Sequence, residues 1–221
     1  MPLPDLTLWM LTTFVEAFVV WLFLIRGLFR KFLFLNFYLL LSVTISIGRY
    51  AVLSYFGYVS SGYAYFYFFS DALLAVSLFL SICELSMRLV GTRMPRRRVV
   101  LLSAGALFAA AFFSFSVASS SSPRVTTRFV FGLSQNIFFA CGFAIVLLWA
   151  WKLRNDPDDR IAARFVSVLS VYFSLFFLAY GARQLAPDAS GPHSLFPMIG
   201  AWLPLGCAFA LVAQDPPQRT M

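Results

Sequence analysis

The chain has 221 residues, of which 61% are hydrophobic, 19% aromatic and only 12% charged. Soluble domains run near about 45–50% apolar and about 25% charged. These values, with a mean hydropathy of +0.82, therefore exclude a soluble enzyme, a disordered chain and a disulfide-rich secreted scaffold. The net charge of +8 is no nucleic-acid signature either, because the basic residues form short clusters between apolar runs, where membrane topology signals lie.

A hydrocarbon core about 30 Å thick needs about 20 apolar residues per helix. Seven such runs follow one another, at residues 6–25, 34–56, 65–87, 99–118, 129–151, 165–182 and 195–213. No segment between them is long enough for an extramembrane domain. The sequence predicts an all-α, polytopic membrane bundle of seven transmembrane helices, with residues 1–221 as one domain. The first run has no basic stretch before it, and Arg26, Arg30 and Lys31 follow it; it reads as a retained span and not a signal peptide.

Basic residues set the direction. One side receives Arg26, Arg30, Lys31, Arg88, Arg93, Arg96, Arg97, Arg98, Lys152, Arg154, Arg160, Arg164 and Arg219. The other receives Arg124, Arg128 and Arg183, with Arg49 inside a span. The positive-inside rule then puts the N-terminus outside and the C-terminus in the cytoplasm. On the outer side, Trp9, Tyr55, Tyr58, Tyr63, Tyr65 and Tyr67 form either an interfacial belt or the aromatic mouth of a ligand site. On the inner side, the run from Asn155 to Asp159 is a turn whose aspartate caps the sixth helix.

Ionisable groups at membrane depth are costly unless paired or hydrated, and so point to function. Arg49 and Asp71 lie at matching depths on helices joined by a short outer loop, and their spacing predicts an ion pair. That pair either locks helices 2 and 3 together or belongs to a binding site. Glu16 sits near the midpoint of helix 1, where it either stands alone or faces Arg49 and completes a triad. Gln135 and Asn136 lie near the same level on helix 5. Glu16, Arg49, Asp71, Gln135 and Asn136 together predict a polar cavity in the outer half of the bundle. Glu84 and Arg88 have the spacing of an ordinary helix ion pair at the inner interface.

Small residues recur every four positions at Gly132, Asn136, Ala140 and Ala144, at Gly105 and Ala109, and at Ser170 and Ser174; such stripes are expected helix seams. Pro197 and Pro204 predict a kink or hinge in helix 7. Cys83, Cys141 and Cys207 lie within apolar runs without metal-ligand spacing, as small buried hydrophobes do. The one histidine, His193, falls in the last outer loop, so neither a His-based metal site nor any cofactor is expected. Lys31 and Lys152 both lie at the inner interface, and helix 7 has no lysine for a retinal Schiff base. No P-loop, GxSxG or HExxH motif occurs.

The run Tyr65-Phe66-Tyr67, followed by Asp71-Ala72-Leu73, Ile82 and Glu84, resembles a helix-3 pattern in uncharacterised seven-helix membrane proteins common in soil acidobacteria. The resemblance implies a bacterial inner-membrane location and adds weight to Asp71 and Glu84. It carries no activity. The residues themselves favour a non-enzymatic multi-pass protein: a sensor or receptor, or a scaffold that meets membrane or cytoplasmic partners through its basic inner loops. A small solute carrier of 3+1+3 helices is the alternative, since Ile47-Gly48-Arg49-Tyr50 and Tyr180-Gly181-Ala182-Arg183 end helices 2 and 6 similarly. A lipid-modifying enzyme using Glu16 or Asp71 as acid or base is a third reading.

Overall fold

The computed structural model describes residues 3–57, 60–90, 94–119, 125–155, 159–185 and 191–212. Among these there are seven helices and no strand: α1 Leu3–Ile25, α2 Leu33–Phe56, α3 Ser61–Val90, α4 Arg96–Ser119, α5 Val125–Arg154, α6 Arg160–Leu185 and α7 Gly191–Val212. Five of them are long and apolar enough to cross a membrane, namely α2, α3, α4, Thr126–Arg154 of α5 and Arg160–Ala179 of α6. In α1 and α7 the described apolar segments are Trp9–Ile25 and Trp202–Val212. Arg93, Arg124, Arg219, Tyr58 and the side chains of Arg183, His193 and Pro197 lie outside the described residues.

Most helices extend about a turn past the apolar runs. Arg96–Arg98, Arg160 and Arg164 are helical residues and not loop residues. Hydrophobicity marks where the bilayer core ends, whereas a helix continues as long as its backbone bonds can close. His193 is likewise corrected from the loop into the first turn of α7, where Pro192 is tolerated because the first N–H groups need no partner. α7 continues through both Pro197 and Pro204.

Six helices close a ring in the order α1, α2, α3, α5, α6, α7, with α7 returning to α1. Helix α3 also reaches α6 across the ring. α4 stands outside, packed on α5 and α3, and its inward residues are Val99, Ser114 and Ala118. The rest of α4 turns Leu101, Phe108, Phe112 and Phe115 outward. A helix apolar on every side suits a lipid surround, so hydrophobicity alone does not say which face of α4 meets protein. Gly105 and Ala109 accordingly prove to be on its exposed face, with open space around Gly105; the seam expected there does not form. The stripe at Ser170 and Ser174 holds only at Ser170, which is buried, while Ser174 is exposed. Gly132 does lie in a seam: a Cβ there would meet the Ser114 side chain of α4 at 3.8 Å.

The ends carrying most of the basic residues are tied to one another. Lys31 pairs with Asp159 at 3.0 Å, Arg88 donates to the Lys31 carbonyl, and Arg26 donates to the Leu211 carbonyl. Of the run Asn155–Asp159, residues 156–158 lie outside the described residues, and Asp159 is the aspartate that caps α6, accepting the Ala162 N–H at 3.1 Å. Above this basic end the core is apolar. Phe23, Phe32 and Phe165 are fully buried, with ring centroids 5.0–6.3 Å apart. Leu85, Leu89, Ile145, Val166 and Leu211 complete the same core.

Candidate functional site

Beyond the aromatic core at the basic end the ring interior is not filled. A cavity of about 550 Å³ lies between Tyr38 of α2, Tyr67, Asp71 and Leu78 of α3, Ser134, Gln135 and Phe138 of α5, Tyr172 and Phe176 of α6, and Gly200 of α7. This volume falls within the roughly 300–1,000 Å³ of small-molecule sites. Its walls are largely aromatic and interlocked. The Phe138 ring is 4.4 Å from Phe176 and 6.4 Å from Tyr172, and Phe68 joins Tyr67 to Phe131 at 5.9 and 5.6 Å. Gly200 leaves space that a side chain would take, since nothing lies within 4 Å of a Cβ built there.

Asp71 is the charged wall residue. The expected contact with Arg49 forms, at 3.6 Å, because antiparallel α2 and α3 share a tight turn and close contact at Gly48. A Cβ on Gly48 would come to 2.9 Å from the Phe66 ring. The shorter bonds of Arg49, however, go elsewhere. Its Nε and Nη2 donate to Ser70 Oγ at 3.0 and 2.9 Å, Nη2 also donates to the Tyr67 carbonyl at 3.3 Å, and the guanidinium covers the Tyr67 ring at 4.2 Å. Asp71 is left 46% accessible in its side chain, on the cavity wall with Ser134, whose hydroxyl donates to the Phe131 carbonyl at 2.9 Å.

The other expected site residues divide. Gln135 reaches the cavity, but Asn136 does not line it. Neighbours on a helix point about 100° apart, so Asn136 turns to α4 and donates to Ser114 Oγ at 2.8 Å. Glu16 is buried on the α1–α2 seam, where it accepts from Ser42 Oγ at 3.0 Å. It forms no ion pair with Arg49 among the described residues, so the triad is not made. Tyr55, 87% exposed, and Tyr65 point outward as belt residues do, while Tyr67, also exposed, lines the cavity mouth as well.

Glu84 departs furthest from expectation. Its pairing with Arg88 exists at 3.7 Å, yet its closer partners are backbone groups of another helix. Oε1 accepts from Leu33 N at 3.0 Å, and Oε2 accepts from Phe34 N and Leu35 N at 3.0 and 3.4 Å. Phe32, at the N-cap of α2, has no side-chain cap of its own. Glu84 therefore caps α2 from α3, satisfying donors that a helix start leaves open and meeting the positive end of its dipole. The missing Ser, Thr, Asp or Asn before Leu33 is the sequence signal for this. Tyr38, Tyr172 and Ser134 are further wall residues; for Tyr172 and Ser134 the signal is a polar side chain well inside a span, whereas Tyr38, six residues into α2, reads as an interfacial tyrosine.

No protein-family model matches the chain, and no curated protein or solved structure matches it. What the fold and cavity define is a membrane-embedded helical bundle with a largely aromatic central cavity.

Proposed function

We propose that this chain is a non-enzymatic, multi-pass protein of the bacterial inner membrane that senses a small molecule held beside Asp71. In this reading all seven helices span, the N-terminus is outside, and the basic end is cytoplasmic, as the positive-inside rule requires. The observation that carries it is the asymmetry of the ring interior. A cavity runs from Tyr67 and Asp71 down to Tyr38, while nearer the basic end Phe23, Phe32 and Phe165 are fully buried. A closed floor suits a receptor, whose occupancy is passed on by helix movement. The basic inner rim, where Lys31, Arg88 and Asp159 join three helix ends, is the surface through which a membrane or cytoplasmic partner would read it. The acidobacterial likeness of helix 3 agrees with the location.

One observation favours the carrier reading. The ring places α1–α3 and α5–α7 as two consecutive triplets with α4 outside them, which is the layout of a 3+1+3 repeat. Cysteine labelling separates the two. In a background lacking Cys83, Cys141 and Cys207, an impermeant thiol reagent is applied to each face of the membrane in turn. A receptor gives labelling of Leu74→Cys, in the cavity, from outside alone and none of Leu85→Cys. A carrier gives labelling of Leu74→Cys from both faces. Labelling of Leu74→Cys from the cytoplasmic face alone would overturn the orientation.

A further inference from the structure

We infer that the ligand of this cavity is a monovalent organic cation, an ammonium-type molecule with Asp71 as its counter-ion. This rests on the reading of the cavity as a ligand site and specifies its chemistry. Among the wall residues Asp71 is the one acidic side chain, and no Arg, Lys or His joins it there. Arg49 is the ion-pair partner of Asp71. It stands outside the wall, 3.6 Å from the carboxylate, with its shorter bonds on Ser70. The cavity therefore presents a carboxylate that is 46% accessible and whose one ion-pair partner stands behind the wall.

The remaining surface suits the same charge. Aromatic rings attract cations through the negative potential of their faces, and cages of such rings are the usual recognition of substituted ammonium groups. Tyr38, Tyr67, Phe138 and Tyr172 line the cavity from four helices. Tyr67 already holds a cation on its ring, the Arg49 guanidinium at 4.2 Å. Among the described residues no hydrogen bond is made by the Tyr38 or Tyr172 hydroxyls, which leaves them able to accept from an ammonium N–H. An anion would meet the carboxylate and the ring faces with the wrong sign. A divalent metal is equally unsuited, because calcium or magnesium needs about six oxygen ligands and no group of three or more His, Cys, Asp or Glu occurs among the described residues.

Two ions of nearly the same shape and opposite charge test this. Tetraphenylphosphonium and tetraphenylborate are titrated separately into the full chain in lipid nanodiscs, and binding to empty nanodiscs is subtracted. The inference requires saturable binding of the phosphonium at least about tenfold tighter than of the borate, a difference of about one factor of ten per 1.4 kcal/mol. Asp71→Asn should lower phosphonium affinity about tenfold or more. Tyr172→Leu should lower it severalfold while Tyr172→Phe, which keeps the ring, leaves it within about twofold. The Tyr172 pair decides the matter if Asp71→Asn does not give monodisperse protein. Borate binding as tight as phosphonium, or affinity unchanged in Asp71→Asn and Tyr172→Leu, overturns the cation assignment. If borate binds and Gly200→Leu abolishes its binding, the cavity stands and only the ligand class falls. Binding of neither ion overturns the assignment, and the cavity reading then stands or falls on the cysteine labelling.

Discussion

Replacing Glu84 tests how a charge buried in one helix holds the start of another. The carboxylate accepts three backbone N–H groups of α2 within 3.4 Å and faces Arg88 at 3.7 Å. A hydrogen bond to a charged group contributes about 1.5–3 kcal/mol, and a buried donor left open costs about 1–3 kcal/mol. Loss of an ordinary N-cap costs about 0.5–2 kcal/mol. These terms overlap and do not add, so Glu84→Ala is expected to cost about 3 kcal/mol. Glu84→Gln keeps one acceptor for Phe34 and Leu35 but turns an amide toward Leu33 or Arg88, and should cost about 1–2 kcal/mol. Unfolding of the purified chain in dodecyl maltoside by added SDS, followed by circular dichroism, measures both. The effect of Arg88→Met should shrink in the Glu84→Ala background, because the two side chains share an interaction. A cost below about 0.5 kcal/mol for Glu84→Ala, the level of an ordinary surface change, would refute the capping role.

Other substitutions probe the seams and the site. A Cβ on Gly142 would run into the Phe177 and Phe173 rings, so Gly142→Ala should destabilise by about 1–3 kcal/mol. Gly105→Ala, with open space around it, should stabilise by up to about 1 kcal/mol through helix propensity; the two SDS midpoints should move in opposite directions. Arg49→Met, which strands Ser70 and Asp71, should cost about 1.5–3 kcal/mol in the same titration, and Arg49→Lys should not restore it because the fork to Ser70 and the cover of Tyr67 are lost. Gln135→Ala should weaken binding in the cavity, whereas Asn136→Ala, which loses its bond to Ser114, should lower stability by about 1 kcal/mol and leave binding unchanged. Equal effects of these two on binding would place the site elsewhere.

Arg49 and Asp71 were legible in the sequence because a short turn fixes the register of α2 against α3, and depth along each helix then follows from the rise per residue. Asp159 was legible because capping is local. Rotation about each helix axis was not. In a soluble helix the apolar stripe marks the inward face, but lipid accepts apolar residues on every side, so neither Asn136 nor the Gly105 and Ala109 stripe could be assigned a face from pattern alone. The same loss of contrast hid Tyr38 and Tyr172, which face the cavity from helices that look uniformly apolar. Glu84 was misread for a different reason. Its i,i+4 neighbour Arg88 offered a sufficient local partner, whereas its closer partners are 49–51 residues away in sequence.

The claim that the cavity of the ring is a ligand site is tested most directly by thermal unfolding of the full chain with a panel of cationic, neutral and anionic small molecules. Each is measured in parallel on Gly200→Leu, whose new side chain enters the open space of the cavity. A ligand present at about 100 times its Kd stabilises the folded state by about 2.7 kcal/mol. The account predicts that at least one compound raises the midpoint of the native chain and leaves Gly200→Leu unmoved. A panel that moves neither protein, or moves both equally, would contradict it.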